Sequence, residues 1–173
     1  MKHVCKCDSP ELLAAIGPLV QVTLLPHPSV RDSFIADGNM PYATVKMMVD
    51  TGADRTVVEQ KVAEGMGLSP VRFAPMVGVS QQPELCPVYL MSIRIGVQGD
   101  REGGQMEFGA EVIGMKSPPI ARQYAGLLGR DFLRQFHVIY SGPKGWVELH
   151  LSSQVTGKVA VPRARHPKKR RHK

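Results

Sequence analysis

The triplet Asp50-Thr51-Gly52, at the end of the apolar run 43–49, holds the residues whose types and spacing could do chemistry. A carboxylate set just past a buried strand is rigidly held and partly desolvated. Thr51 can hydrogen-bond back to the main chain and fix a tight turn, and Gly52 lets backbone, substrate or a second carboxylate come close. Ala53 is small and leaves space beside the site. One carboxylate is not enough to hydrolyse a peptide. Without a nucleophilic side chain or a metal, one group must take a proton from water and another must give one to the carbonyl oxygen. Two Asp carboxylates in contact cannot both ionise, so the pair shares a proton. The chain has a single Asp-Thr-Gly. The second carboxylate of this chemistry must then come from another copy across a two-fold axis, and a homodimer is expected.

A second segment, Leu127-Leu128-Gly129-Arg130-Asp131-Phe132-Leu133, lies downstream. Asp50-Thr51-Gly52-Ala53-Asp54, with Thr56-Val57-Val58 behind it and Leu-Leu-Gly-Arg-Asp after it, resembles the signature of retroviral-type (retropepsin) aspartic proteases. The likeness spans residues 19–151, and the extra length points to the cellular or bacterial single-domain kind. The resemblance implies Asp50 as the catalytic residue, with Thr51, Gly52 and Ala53 supporting the loop. It implies Leu127, Leu128 and Gly129 as apolar support beneath that loop, and an ion pair between Asp54 and Arg130. It places a flap, a hairpin that closes over substrate, at Val77, Gly78, Val79 and Ser80. No metal or other cofactor is called for. Because Ala53 carries no hydroxyl that could bond ionised Asp50, activity is expected to peak at mildly acid pH.

The elements that must position these residues are short. β-branched and aliphatic runs predict strands over 19–25, 43–49, 56–58, 71–77, 88–97 and 106–113, with a final hairpin of 138–140 and 146–151. Residues 26–39 read as loop, closed by Asp37-Gly38-Asn39. A short helix is expected over 59–66, stopped by Gly67, and another over 130–136. The expected fold is all-β: a closed barrel of the retropepsin (acid protease) type, homodimeric, with one or two short helices. Residues 1–16 read as an N-terminal arm with one helical turn at 11–16, residues 17–153 as the protease domain and 154–173 as a basic, disordered tail.

Composition bounds these readings. With 173 residues, 43% apolar content, 17 Gly and 14 Pro, the chain suits one domain of many strands and turns. The formal charge of +7 is local: Lys158, Arg163, Arg165, Lys168, Lys169, Arg170, Arg171 and Lys173 leave 14 basic against 15 acidic residues elsewhere. Residues 158–173 could bind nucleic acid or an acidic surface without sequence preference, but no aromatics stand between the charges to stack on bases. Three cysteines, Cys5, Cys7 and Cys86, make no disulfide framework. Cys5 and Cys7 with His3 lack a second cluster to complete a zinc site, and a frayed terminus is the simpler reading. With no signal peptide or membrane span visible, a cytoplasmic protein is expected. Two functions fit: an aspartic endopeptidase acting on peptides or proteins, or a catalytically silent module of the same fold that dimerises or binds peptides while the tail binds polyanions.

Overall fold

In the computed structural model, residues 2–6, 9–35, 38, 40–77, 82–97, 104–116 and 123–152 are described. A six-membered ring of strands forms the barrel. β2 (Leu19–Pro26) pairs antiparallel with β3 (Ala43–Val49), and β3 lies parallel to β8 (Gly126–Leu128). β8 is antiparallel to β4 (Val57–Glu59), which runs parallel to β7 (Gly104–Met115). β7 pairs antiparallel with β6 (Pro83–Val97), and β6 closes the ring onto β2 through Thr23–Arg94 and Leu24–Ile93. β5 (Arg72–Val77) extends from β6 as the outer strand of a hairpin. Closure satisfies the ring's backbone groups without leaving edges.

The alternation along β2 explains its place: Val20, Val22 and Leu24 are buried, while Gln21 faces solvent. On β6, Tyr89, Met91, Ile93 and Ile95 fill the main core as the period-two pattern predicts. Val88, on the opposite face, is equally buried. It belongs to a second cluster with Val57, Cys86 and Ile113. Phe132 and Phe136, in the main core, meet Phe108 edge-on with ring centroids 5.5 and 5.3 Å away.

Three expectations need correction. The stretch read as a frayed arm supplies a strand, β1 (Lys2–Lys6), which pairs with β10 (Trp146–Leu151) so that Cys5 lies opposite Val147 in the main core. Its Lys-His-Val-Cys-Lys sequence has little strand signal of its own, and the partner strand decides its state. Cys7 lies outside the described residues. Secondly, the described residues hold four short helices where one or two were expected with the barrel: α1 (Pro10–Ile16), α2 (Arg31–Ile35), α3 (Gln60–Gly65) and α4 (Arg130–Leu133). α1 is capped by Ser9, whose Oγ accepts from the Leu12 N–H at 3.1 Å. Thirdly, α4 ends after Leu133 and the chain enters β9 (Phe136–Ser141). β1, β10 and β9 form a separate three-stranded sheet in that order. No helix among the described residues is long and apolar enough to cross a membrane. The basic tail lies outside the described residues.

Candidate active site

β3 carries Asp50 to the edge of the barrel. The Val49 N–H donates to the Pro18 carbonyl at 2.8 Å, and the Asp50 N–H donates to the Leu128 carbonyl at 3.1 Å. Parallel pairing sets Met48 beside Leu127 and Val49 beside Leu128. Leu127 and Leu128, the apolar pair of the second motif, lie in the strand β8 beside the end of β3. Leu128 is wholly buried in the main core, and Leu127 packs against the second cluster.

Beyond β3 the chain turns sharply. Asp50 is half-buried, and its Oδ1 accepts from the Gly52 N–H at 2.8 Å and the Ala53 N–H at 3.3 Å. The carboxylate is thus oriented by the amides of its own loop, an Asx-type turn. Among the described residues nothing in the same chain bonds its Oδ2. Thr51 and Gly52 are exposed at the tip of the turn. A Cβ on Gly52 would stand 3.1 Å from Asp50 Oδ1.

The second motif braces this turn through the backbone. The Arg130 N–H donates to the Ala53 carbonyl at 2.9 Å and the Asp131 N–H to the Asp54 carbonyl at 3.3 Å. Arg130 Nη1 donates to the carbonyls of Thr51 and Gly52 at 3.0 and 3.1 Å. The expected Asp54–Arg130 ion pair is not among the salt bridges of the described residues. The guanidinium reaches past Asp54 to the carbonyls at the tip, whose otherwise unpaired oxygens are strong acceptors for a cation. Gly129 is required where loop and motif cross, since a Cβ there would overlap the Arg55 carbonyl.

Sequence reasoning missed two parts of this brace. Thr56 is wholly buried. Its Oγ1 donates to Asp131 Oδ1 at 2.6 Å and accepts from the Gly129 N–H at 3.2 Å. A threonine opening a β-branched run reads as strand former, and only the fold shows that its hydroxyl has a helix-borne acid to bond. The second part is Glu111 on β7. Arg55, from the active-site loop, donates to its Oε2 at 3.1 Å, and Arg72, from β5, pairs with the same carboxylate. The Arg72 hydrogen bond, aided by Arg55 and opposed by slight burial, holds the Glu111 carboxyl below its ordinary value. The loop, β7 and the outer hairpin thus meet at one carboxylate.

Val77 lies opposite Pro83 at the end of the β5–β6 ladder and is exposed. The other candidate flap residues, Gly78, Val79 and Ser80, lie outside the described residues. The hairpin's inner face, with Ala74, Met76 and Cys86, packs toward Val57 and Leu127. Burial raises the Cys86 thiol above its ordinary value, with Glu84 adding to the effect. No group of His, Cys, Asp and Glu among the described residues is arranged to hold a metal ion.

A β-barrel that presents Asp-Thr-Gly on a loop braced by Leu-Leu-Gly-Arg defines the retropepsin-like class of aspartic-protease folds. The model of the family described as "gag-polyprotein putative aspartyl protease" matches residues 36–135, and the chain belongs to this family. The match takes in the active-site loop, the β5–β6 hairpin and the second motif. Among solved structures, the chain is similar to the crystal structure of a retropepsin-like aspartic protease from Rickettsia conorii. Identity is 15% and the TM-score 0.46, over 86% of this chain and 89% of that one. No curated protein sequence matches the chain.

Proposed function

We propose that this chain is an aspartic endopeptidase whose active form is a homodimer, with Asp50 of each protomer supplying one of two catalytic carboxylates. The observation that carries the proposal is the presentation of Asp50. A chain with one Asp-Thr-Gly holds that carboxylate at the barrel edge by Oδ1 alone, in a family of aspartic proteases. In the proposed reaction one Asp50 takes a proton from an attacking water. The other, protonated at the start, gives its proton to the carbonyl oxygen of the scissile peptide. Arg130 and Thr56 act as positioning residues that keep the loop rigid. The substrate is an extended peptide segment that pairs with strand edges near the hairpin.

The test is cleavage of a diverse peptide mixture read by mass spectrometry, with wild type and Asp50→Asn compared across mildly acid to neutral pH. Cuts made by wild type and lost in Asp50→Asn are expected, and their flanking residues would define specificity. A folded, dimeric wild type that cuts nothing would replace this reading with that of a silent dimerisation or peptide-binding module. Polyanion contact through residues 158–173 would be separate from catalysis, and would weaken steeply with added salt.

A further inference from the structure

The second apolar cluster has a charged end. On the β6–β7 ladder Val88 lies opposite Ile113 and Leu90 opposite Glu111, and on the β5–β6 ladder Arg72 lies opposite Val88. Directly opposed residues of an antiparallel ladder share a face, as do residues two apart along a strand. Glu111 and Arg72 therefore stand on the face of Val88 and Ile113, in line with Ala74 and Met76, which pack against that cluster. Arg55 reaches the same place from the active-site loop. It comes two residues before Val57, a member of the cluster, and the Thr56 carbonyl between them accepts from the Ile113 N–H at 3.1 Å. An apolar surface of Val57, Ile113 and Met76 thus ends in two guanidinium groups, one on the Asp50 loop and one on the hairpin.

The charges at that end do not balance. Arg55 donates through Nη2, and Arg72 through Nε and Nη2, to the one carboxylate of Glu111. Both Nη2 atoms meet the same oxygen, Oε2, so the two cations are held close and repel each other. The next acid, Asp131, lies 3.8 Å from Arg55 Nε, beyond hydrogen-bond reach, and its Oδ1 already takes the Thr56 hydroxyl and the Phe132 N–H. The pairing with Glu111 leaves over an Nη1 of each arginine. The side chains of Arg55, Arg72 and Glu111 are 39%, 44% and 40% exposed, so the surplus charge is open to a ligand. A second carboxylate would relieve the repulsion and use the remaining donors.

We infer that Arg55 and Arg72 determine substrate specificity, receiving the carboxylate of an Asp or Glu side chain of the bound peptide near the bond that is cut. This rests on the proposed function, which runs the substrate between the Asp50 loop and the hairpin. Arg55 follows Asp50 on one loop, braced at Ala53 and Asp54 by the main chain of Arg130 and Asp131, so the acid it selects stands close to the scissile peptide. The carbons of that side chain lie on Val57 and Met76. Glu111 holds the two guanidiniums in place when no substrate is bound and competes with the substrate acid when one is.

The test reads cuts in a diverse peptide mixture by mass spectrometry, with the full chain. At one position flanking the wild-type cuts, Asp and Glu should be enriched over Asn and Gln by about fivefold, the upper range for a half-exposed ion pair. Arg55→Gln and Arg72→Gln, on different elements, should each bring that ratio toward one, and Arg55→Lys should keep most of it. Glu111→Gln removes the competing acid and should raise the ratio. A purely structural role would lower all cuts by the same factor in these variants and leave the ratio alone, which would overturn the inference. Wild-type cuts with no acidic enrichment would also overturn it, while leaving the protease reading standing. A wild type that cuts nothing would overturn the protease reading, and fluorescence anisotropy then decides the inference. Its probes are a labelled decapeptide with glutamate at alternate positions, which an extended chain turns to one side, and the glutamine counterpart. Tighter binding of the glutamate peptide, lost when Arg55→Gln and Arg72→Gln are combined, would support the two arginines as the acid-binding pair. Equal binding of the two peptides, or a preference that survives the double substitution and so belongs to residues 158–173, would overturn it.

Discussion

Thr56 Oγ1 donates to Asp131 Oδ1 across 2.6 Å and at the same time accepts from the Gly129 N–H, so one buried hydroxyl ties the exit of the active-site loop to the start of α4. Thr56→Val keeps the shape and removes the hydroxyl, leaving the Gly129 N–H buried without a partner. We expect a loss of about 2 kcal/mol, against less than about 1 kcal/mol for Thr56→Ser. Urea denaturation with an unchanged m-value would measure both. Equal losses would mean that the hydroxyl braces nothing.

Steady-state kinetics of single variants separates the roles of Arg130 and Asp54. Arg130 bonds the carbonyls of Thr51 and Gly52, whereas no Asp54 side-chain pair with it forms. Arg130→Ala is expected to lower kcat by about tenfold or more with little change in KM, because a displaced loop misplaces the reacting carboxylate. Its stability should change by less than about 1 kcal/mol, since the group is exposed. Asp54→Asn should leave kcat near wild type. If Asp54→Asn reproduced the Arg130→Ala defect, the two would be an ion pair in the active dimer.

Gly129 and Gly65 should respond oppositely to alanine. A Cβ at 129 meets the Arg55 main chain and comes to 2.9 Å from Thr56 N, while a Cβ at Gly65 meets nothing within 4 Å. Gly129→Ala is expected to destabilise by about 3 kcal/mol, the upper end of overpacking, because the obstruction is backbone. Gly65→Ala, at the end of α3, should be neutral or stabilise by up to about 1 kcal/mol. Thermal melts of the two variants decide the matter.

Acid should weaken the fold through Glu107. This carboxylate is 8% exposed and pairs with Arg31 of α2 and with Arg94 of β6 at 2.9 Å. Burial alone would raise it, but hydrogen bonds from Arg94 and Arg31 outweigh that, and its carboxyl lies below the ordinary value of 4.5. A depressed carboxylate stabilises the fold above its unfolded value, and the contribution is lost as pH falls through its folded value. The loss therefore falls below pH 4.5. Glu107→Gln should cost about 3 kcal/mol near neutrality, by leaving two arginines without their acid. It should also flatten the pH dependence of the melting temperature in the acid range. A slope as steep as that of wild type would move the acid sensitivity to other carboxylates. Activity measured in that range needs a parallel probe of folding.

Much of the fold is legible in the sequence alone. The run 43–49 is β3 to the residue, and 146–151 is β10, because both are bounded by strong signals: a turn-forming Asp-Thr-Gly after one and a Gly-Pro-Lys-Gly turn before the other. The order Asp-Thr-Gly-Ala-Asp, then Leu-Leu-Gly-Arg-Asp, was enough to point to the two segments that the fold brings together at the candidate site. Such features are local, since turn chemistry and hydrophobic period act over a few residues.

Tertiary structure decided the rest. Lys2–Lys6 became a strand because β10 offered an edge, and the helix expected over 130–136 stops at Leu133, with Phe136 opening β9, because Phe136 joins Phe108 and Phe132 in the core. The partners of Arg130, Thr56 and Glu111 are between 39 and 79 residues away in sequence, and no local pattern encodes which of several acids or carbonyls will be in reach. The chain by itself determined the chemistry offered, a carboxylate on a tight turn. Only packing decided what holds that turn, because that depends on which distant backbone arrives within hydrogen-bonding distance.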